Sequence, residues 1–230
     1  MSSKKISAIV QARMGSSRLP NKSLLNLHGY PIVYWVFHRV NKSKKINDLI
    51  FCIPNSRDND VLNNYLIQIG AKVFRGDEDD LIGRYIEAAK YSDTEYIVRV
   101  CADNPLICSS EIDRLIDYYF RINCNYCYNH IPRNNNYPDG LGAEIFNFEL
   151  LREIDKSAVD QKHREHVTNY LWENRNKYNV KTFNAPKEIA YPDLKLDINT
   201  IEEYTKLMKI PYKINMTAEE IVKISNRSPE

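Results

Sequence analysis

The chain has 230 residues, of which 43% are hydrophobic, with 32 Lys and Arg against 30 Asp and Glu for a formal charge of +2. That length suits one sizeable α/β domain, and so small a net charge argues against a nucleic-acid-coating surface, leaving any anion site to be local. Five cysteines without a regular framework, no apolar run of about 18 residues, and no signal-peptide core behind Met1-Ser2-Ser3-Lys4-Lys5 lead to an expected place in the cytoplasm, off the membrane.

Taken in order, the chain opens with an apolar β-favouring run, Ile6-Ser7-Ala8-Ile9-Val10, that delivers its C-terminal end into Gln11-Ala12-Arg13-Met14-Gly15-Ser16-Ser17-Arg18-Leu19-Pro20-Asn21-Lys22. Gly15, Ser16 and Ser17 leave room for a ligand to approach the backbone, whose N–H groups can donate to anionic oxygens. Arg13, Arg18 and Lys22 supply planar and point-charge cations, and Pro20 keeps the loop from winding into one helix. Such a loop is either a solvated basic stretch or a triphosphate cradle, and its place directly after the first strand favours the cradle.

Pro31 is placed to open a helix whose apolar face is Ile32, Val33, Trp35, Val36 and Val40. A second strand is expected over 48–53, then a helix capped by Asp58 or Asn59 and running to about Ile69. A short strand at 71–74, a helix over about 80–91 and a strand at 96–100 follow. Strands alternating with short helices predict a mostly parallel sheet covered on both faces. Ligands in such sheets lie at the C-terminal strand ends, which selects the loops 11–22, 54–58, 75–79 and 101–106.

Beyond a helix over about 110–122, strand-like runs at 126–131 and 143–148 flank a polar loop, 132–142. This reads as an inserted antiparallel arm at about 126–148 within a single domain spanning 1–230. Two strands alone are marginal in water, so the arm must pack on the parent domain or on a second subunit. Helices are expected near 150–155 and 161–174, a strand around 180–183, an apolar run ending in Asp197, and a helix beginning near Thr200; 225–230 reads as a frayed tail. Cys124-Asn125-Tyr126-Cys127 has C-x-x-C spacing without a second cysteine pair, and Tyr and Cys there read as packing residues. His163-Arg164-Glu165-His166 lacks the spacing of a zinc protease helix.

Ala102-Asp103-Asn104-Pro105-Leu106 comes straight after the fourth strand. Asp103 there is either a turn residue or, opposite a triphosphate loop, a ligand for a hard divalent cation. Asp197 could reach the same cation from across the crevice. Pro54-Asn55-Ser56 and Arg75-Gly76-Asp77 are placed to read a base and ribose, or are plain turns.

Ala12-Arg13, Ser16, Arg18, Pro20 and Lys22 resemble the N-terminal signature of the cytidylyltransferases that make CMP-activated sugars. The form Gln-Ala-Arg-Met-Gly-Ser-Ser-Arg-Leu-Pro is similar to the spore-coat polysaccharide branch, and the resemblance covers residues 6–204. It implies a three-layer α/β sandwich with a Rossmann-like nucleotidyltransferase sheet and an arm that serves dimerisation. It implies Mg2+ on Asp103 and Asp197, Asp103-Asn104-Pro105 fitting the family's Asp-x-Pro, although relatives with sugar-acid substrates carry an acid where this chain has Asn104. The implied reaction is transfer of CMP from CTP to a sugar-like acceptor with release of pyrophosphate, in surface-glycan synthesis, by a homodimer with no nucleic-acid partner.

Under that resemblance Arg13, Lys22 and Asp103 are catalytic. Gln11, Ala12, Gly15, Ser16, Arg18, Pro54, Asn55, Arg75, Gly76, Asp77 and Ala102 bind the nucleotide. Asp139-Gly140-Leu141-Gly142-Ala143-Glu144 resembles the acceptor-side segment, so Asp139 and Glu144 are expected at the acceptor. Arg164-Glu165-His166-Val167-Thr168 also matches this branch, with Arg164 or His166 at an acceptor anion, or else forming a plain helix N-terminus. Two alternatives stay open: a nucleotide-sugar-dependent glycosyltransferase of the same fold, whose Asp-x-Asp is missing here, and a catalytically silent nucleotide-binding module.

Overall fold

The protein is described here by a computed structural model covering residues 4–227. Strand β1 (Ile6–Gln11) is the centre of a seven-stranded sheet. Its residues alternate between two cores: Ala8 and Val10 join Val33, Val36, Phe51 and Leu115 on one face, while Ile9 joins Tyr85, Ile97, Phe146 and Leu151 on the other. A sheet buried on both faces is the reason the run reads as continuously apolar rather than as polar and apolar in turn.

After β1 the chain makes a small antiparallel pair, β2 (Asn26–Leu27) with β3 (Tyr30–Pro31), before helix α1 (Ile32–Val40). Strand β4 (Asp48–Pro54) pairs parallel to β1, and β5 (Lys72–Gly76) pairs parallel to β4, with α2 (Asp60–Gln68) between them. Asn59 takes the expected position before α2, but its side chain accepts no helix N–H; it holds the phosphate-type loop instead, as described below. Helix α3 (Leu81–Tyr91) is capped by Asp80, which accepts from Gly83 N at 2.9 Å. Strand β6 (Tyr96–Cys101) then returns to the other side of β1, also in parallel. The order reverses between β1 and β6, and that switch point opens the crevice at the C-terminal strand ends.

The expected arm is a correction. After α4 (Ser109–Ile122), strand β7 (Tyr126–Tyr128) and strand β8 (Glu144–Asn147) are both members of the central sheet. β8 pairs antiparallel with β6, and β7 pairs antiparallel with β8. Tyr126, Cys127, Tyr128, Ile145 and Phe146 are all buried, so the apolar character that asked for a packing partner is met by the parent domain. The full order is β5-β4-β1-β6-β8-β7-β9, in which β8 alone runs against its neighbours.

Helix α5 (Phe148–Ser157) is followed by a break where one helix was expected over 161–174. Short α6 (Gln161–Arg164) and α7 (Asn169–Glu173) flank residues 165–168, and the break lets Thr168 donate to the buried Glu144 at 3.1 Å. Strand β9 (Val180–Lys181) closes the sheet. A third core around Trp35, Leu196, Leu207 and Ile221 carries α8 (Ile201–Lys209) and α9 (Ala218–Ser225). Both open on reciprocal capping boxes, Thr200 with Glu203 and Thr217 with Glu220. Helix α9 lies where no separate element was expected, ahead of the tail expected at 225–230, of which 228–230 lie outside the described residues.

Candidate active site

The loop after β1 is built to leave donors free. Asn59 fixes it from below, accepting from Met14 N at 2.9 Å, and Ser16 N and Asn21 N both donate to Met14 O. Ser23 donates to Arg13 O at 3.0 Å, and Ser16 Oγ accepts from Leu19 N at 3.3 Å. The backbone N–H groups of Gly15, Ser17 and Arg18 have no acceptor among the described residues. Clustered free N–H groups in a turn form an anion-binding concavity. The Arg13 side chain is exposed and makes no hydrogen bond or ion pair among the described residues. Arg18 donates to Asn199 Oδ1 at 3.2 Å.

Lys22 links this loop to the acids opposite. Its Nζ lies 3.3 Å from Asp103 Oδ2 and donates to Ile198 O at 2.8 Å. Ile198 N in turn donates to Asp103 O at 2.8 Å, which stitches the segment carrying Asp197 to the loop after β6. The Asp139 turn joins from a third direction: Asp139 N donates to Leu194 O and Leu196 N to Asp139 O, both at 3.0 Å. Gly140, at φ +92°, lies where a Cβ would come within 3.0 Å of Asp197 N, so the close approach needs glycine.

Asp103, Asp139 and Asp197 therefore converge. Burial, and then the neighbouring Asp139, push the Asp197 carboxyl up to about 6. Asp139 is raised as well, chiefly by burial. Asp197 Oδ2 accepts from Asn199, whereas Oδ1 is buried with no hydrogen-bond partner, Lys195 Nζ standing 3.8 Å away. A buried orphan carboxylate oxygen within a cluster of acids suits a hard cation. No three His, Cys, Asp or Glu side chains among the described residues form a complete cage.

The nucleotide-side turns are more structural than the sequence implied. Arg75 pairs with Asp60 at 2.7 Å and donates to Ser56 O at 2.9 Å. Asp77 accepts from the N–H groups of Asp79 and Asp80, which hold its carboxyl below the usual range. Asn55 N donates to Gly76 O at 2.8 Å, so Pro54, Asn55 and Gly76 form the joined rim of β4 and β5. Ala12 and Ala102 are buried beside Gln11, whose carbonyl accepts from Ala102 N at 3.1 Å.

On the acceptor side, Glu144 is engaged inside the protein. Its carboxylate ion-pairs with Arg99 and accepts from Tyr126 and Thr168, with a side-chain exposure of 2%. Despite full burial, the Arg99 guanidinium holds it well down, to about 2. Arg164 is likewise committed, to Asp80 at 2.5 Å and Asp155 at 2.7 Å, tying α6 to the start of α3. His166 is exposed, and its basicity is lowered by partial burial and then by the Arg99 guanidinium. Sequence reasoning passed over Arg99, His130, Lys195 and Asn199. A signal existed for Arg99 alone, since a charged residue inside a strand buried on both faces requires a buried partner.

Fold and crevice together define an α/β nucleotidyltransferase, with a phosphate-type loop facing an acidic cluster across the sheet's switch point. The chain belongs to the cytidylyltransferase family, whose model matches residues 7–226. It is 30% identical over 231 residues to the spore coat polysaccharide biosynthesis protein SpsF of Bacillus subtilis, covering 96% of this chain and 94% of that one. A cytidylyltransferase structure from Leptospira borgpetersenii superposes with a TM-score of 0.88 at 28% identity, over 97% of this chain and 94% of that one. A CMP:2-keto-3-deoxy-manno-octonic acid synthetase complexed with CTP shares the fold, with a TM-score of 0.67 at 15% identity over 90% and 98% of the two chains.

Proposed function

We propose that this protein is a Mg2+-dependent cytidylyltransferase that moves CMP from CTP onto a sugar-like acceptor, releasing pyrophosphate, in cytoplasmic synthesis of a surface glycan. The observation that carries this reading is Lys22, held between Asp103 and Ile198 O at the mouth of a loop with free N–H groups. The loop N–H groups and Arg13 hold the triphosphate, and Arg18 holds the departing pyrophosphate. Lys22 offsets charge growing at the reacting phosphate. Positioning and charge neutralisation of this kind supply most of the catalysis of phosphoryl-type transfer. Asp103 and Asp197 would hold the Mg2+ ion, which when bound neutralises phosphate charge and orients the reacting oxygens.

Although the family resemblance implies a homodimer, the strands expected to mediate it are spent in the central sheet. Sedimentation at micromolar concentration separates the two states. The reaction itself is tested by pyrophosphate release over a panel of nucleoside triphosphates and sugars, where turnover confined to CTP is expected. Release of free CMP or CDP from a nucleotide sugar would instead support a glycosyltransferase.

Two further outcomes follow from the charges. Arg18→Ala is expected to weaken CTP binding about tenfold, as for loss of one hydrogen bond to a charged group. Lys44→Ala, on an exposed stretch after α1, is expected to leave it within twofold. Equal losses in titration calorimetry would mean that general charge governs binding. The second outcome concerns pH. A cation needs the ionised Asp197, whose pKa is about 6, so affinity is full above that value and lost as pH falls through it. The Mg2+ concentration for half-maximal rate should rise roughly tenfold between pH 7 and pH 5. An unchanged requirement would place the cation elsewhere.

A further inference from the structure

The loop between β5 and α3 carries consecutive acids, Asp77, Glu78, Asp79 and Asp80, at the C-terminal end of β5. It is held from several sides. Asp77 accepts from Asp79 N at 2.8 Å and Asp80 N at 2.9 Å, and its carbonyl accepts from Arg84 at 2.6 Å. Asp79 O accepts from Gln161 at 3.2 Å, while Asp80 caps α3 and pairs with Arg164. Glu78 lies between these anchors. It is exposed, and its carboxylate makes no hydrogen bond or ion pair among the described residues.

That carboxylate stands against the loop after β1. A Cβ built on Gly15 would lie 3.7 Å from Glu78 Oε1, and beyond its chain neighbours it would meet no other described atom within 4 Å. Gly15 belongs to the turn in which the Gly15, Ser17 and Arg18 N–H groups have no acceptor, and Glu78 accepts from none of them.

The cations around it leave its charge uncancelled. Lys22 pairs with Asp103, Arg18 donates to Asn199, and Arg75 pairs with Asp60. Arg84 is spent on Asp77 O, and Arg13 forms no ion pair among the described residues. An acid without a counter-ion is thus placed beside a loop of free N–H donors suited to anions. Like charges repel, and the repulsion grows with the charge that the incoming group brings. A polyphosphate complexed to a divalent cation brings less charge than the bare anion.

Resting on the reading of the loop after β1 as the triphosphate site, we propose that Glu78 determines which form of polyphosphate that loop admits. It disfavours the metal-free anion and so makes the site selective for the Mg2+ complex. Titration calorimetry on the intact protein tests this with pyrophosphate and with CTP, each in EDTA and in excess Mg2+. Glu78→Gln keeps the size of the side chain and removes its charge. In dilute buffer the variant should bind both metal-free ligands roughly three- to fivefold more tightly than wild type, the scale of one exposed charge contact. The gain should fade in about 0.5 M salt, and affinity for the Mg2+ complexes should stay within about twofold. Asp79→Asn removes an equal charge one residue on, from a side chain that does not reach a Cβ on Gly15 within 4 Å. It should leave every affinity within about twofold, with the folding of both variants checked by thermal melting.

Unchanged metal-free affinity in Glu78→Gln would overturn the proposal. Equal gains in the two variants would do the same, because general charge would then govern entry. Weaker binding of the Mg2+ complexes by Glu78→Gln would also overturn it, since the carboxylate would then hold the cation. If pyrophosphate behaves as expected and CTP binds neither protein, the nucleotide reading fails while the role of Glu78 stands. If neither ligand binds wild type or variant, the loop is no polyphosphate site and both readings fall.

Discussion

Asp103→Asn is expected to lower turnover at least a few hundredfold while leaving the fold intact. Asp103 follows β6 directly and faces Lys22 at 3.3 Å, and its backbone oxygen anchors the segment carrying Asp197. The amide keeps the size of the side chain and the backbone bonds, but removes the anionic oxygen that a hard cation requires. Loss of one preorganised electrostatic contact of this kind costs on the order of 3–4 kcal/mol in the barrier. Lys22 would also lose its counter-charge, so CTP affinity should hold or rise slightly while kcat falls. Near-normal pyrophosphate release by the variant at millimolar Mg2+ would remove Asp103 from the metal site.

The second large effect falls on stability. Glu144→Ala leaves Arg99 buried without its counter-ion, and Tyr126 and Thr168 without an acceptor. Breaking a buried pair from one side costs about 3–5 kcal/mol. For a chain of this length that is a fall in melting temperature of roughly 10 °C. The pH dependence gives an independent check. The folded-state pKa of Glu144 is depressed to about 2, so its contribution is present above the ordinary carboxylate range and lost as pH falls from about 4.5 toward 2. The gap in melting temperature between wild type and variant should therefore narrow in that window. A gap that is small at pH 7, or constant down to pH 2, would show that the pair adds little.

Most of the scaffold was legible because local signals set it. The apolar run before Gln11, the helix start near Asp80 and the alternation of strands with short helices all reflect burial and backbone chemistry within a few residues. The run of small residues and cations likewise located the crevice. Pairing partners were not legible. Periodicity reports that Tyr126 and Phe146 are buried, but not that β8 lies beside β6, so two strands of the sheet read as an arm. Glu144 was misjudged for the same reason. Its sequence neighbours mark it as an acid near the acceptor segment, while its energy is decided by Arg99, 45 residues earlier. Helix α9 was missed although Thr217 and Glu220 carry the capping-box spacing. Asn199, which touches both Arg18 and Lys22, had no signal beyond its nearness to Asp197.

The central claim is that the bond broken lies between the α and β phosphorus atoms of CTP. It is tested most directly with two preparations of CTP, labelled at the α or the γ phosphate, incubated with the protein, Mg2+ and a competent acceptor. Cytidylyl transfer predicts that the α label moves into an acceptor-linked product while the γ label leaves as pyrophosphate in equal amount. Retention of both labels in CTP, or appearance of the γ label on the acceptor, would contradict it.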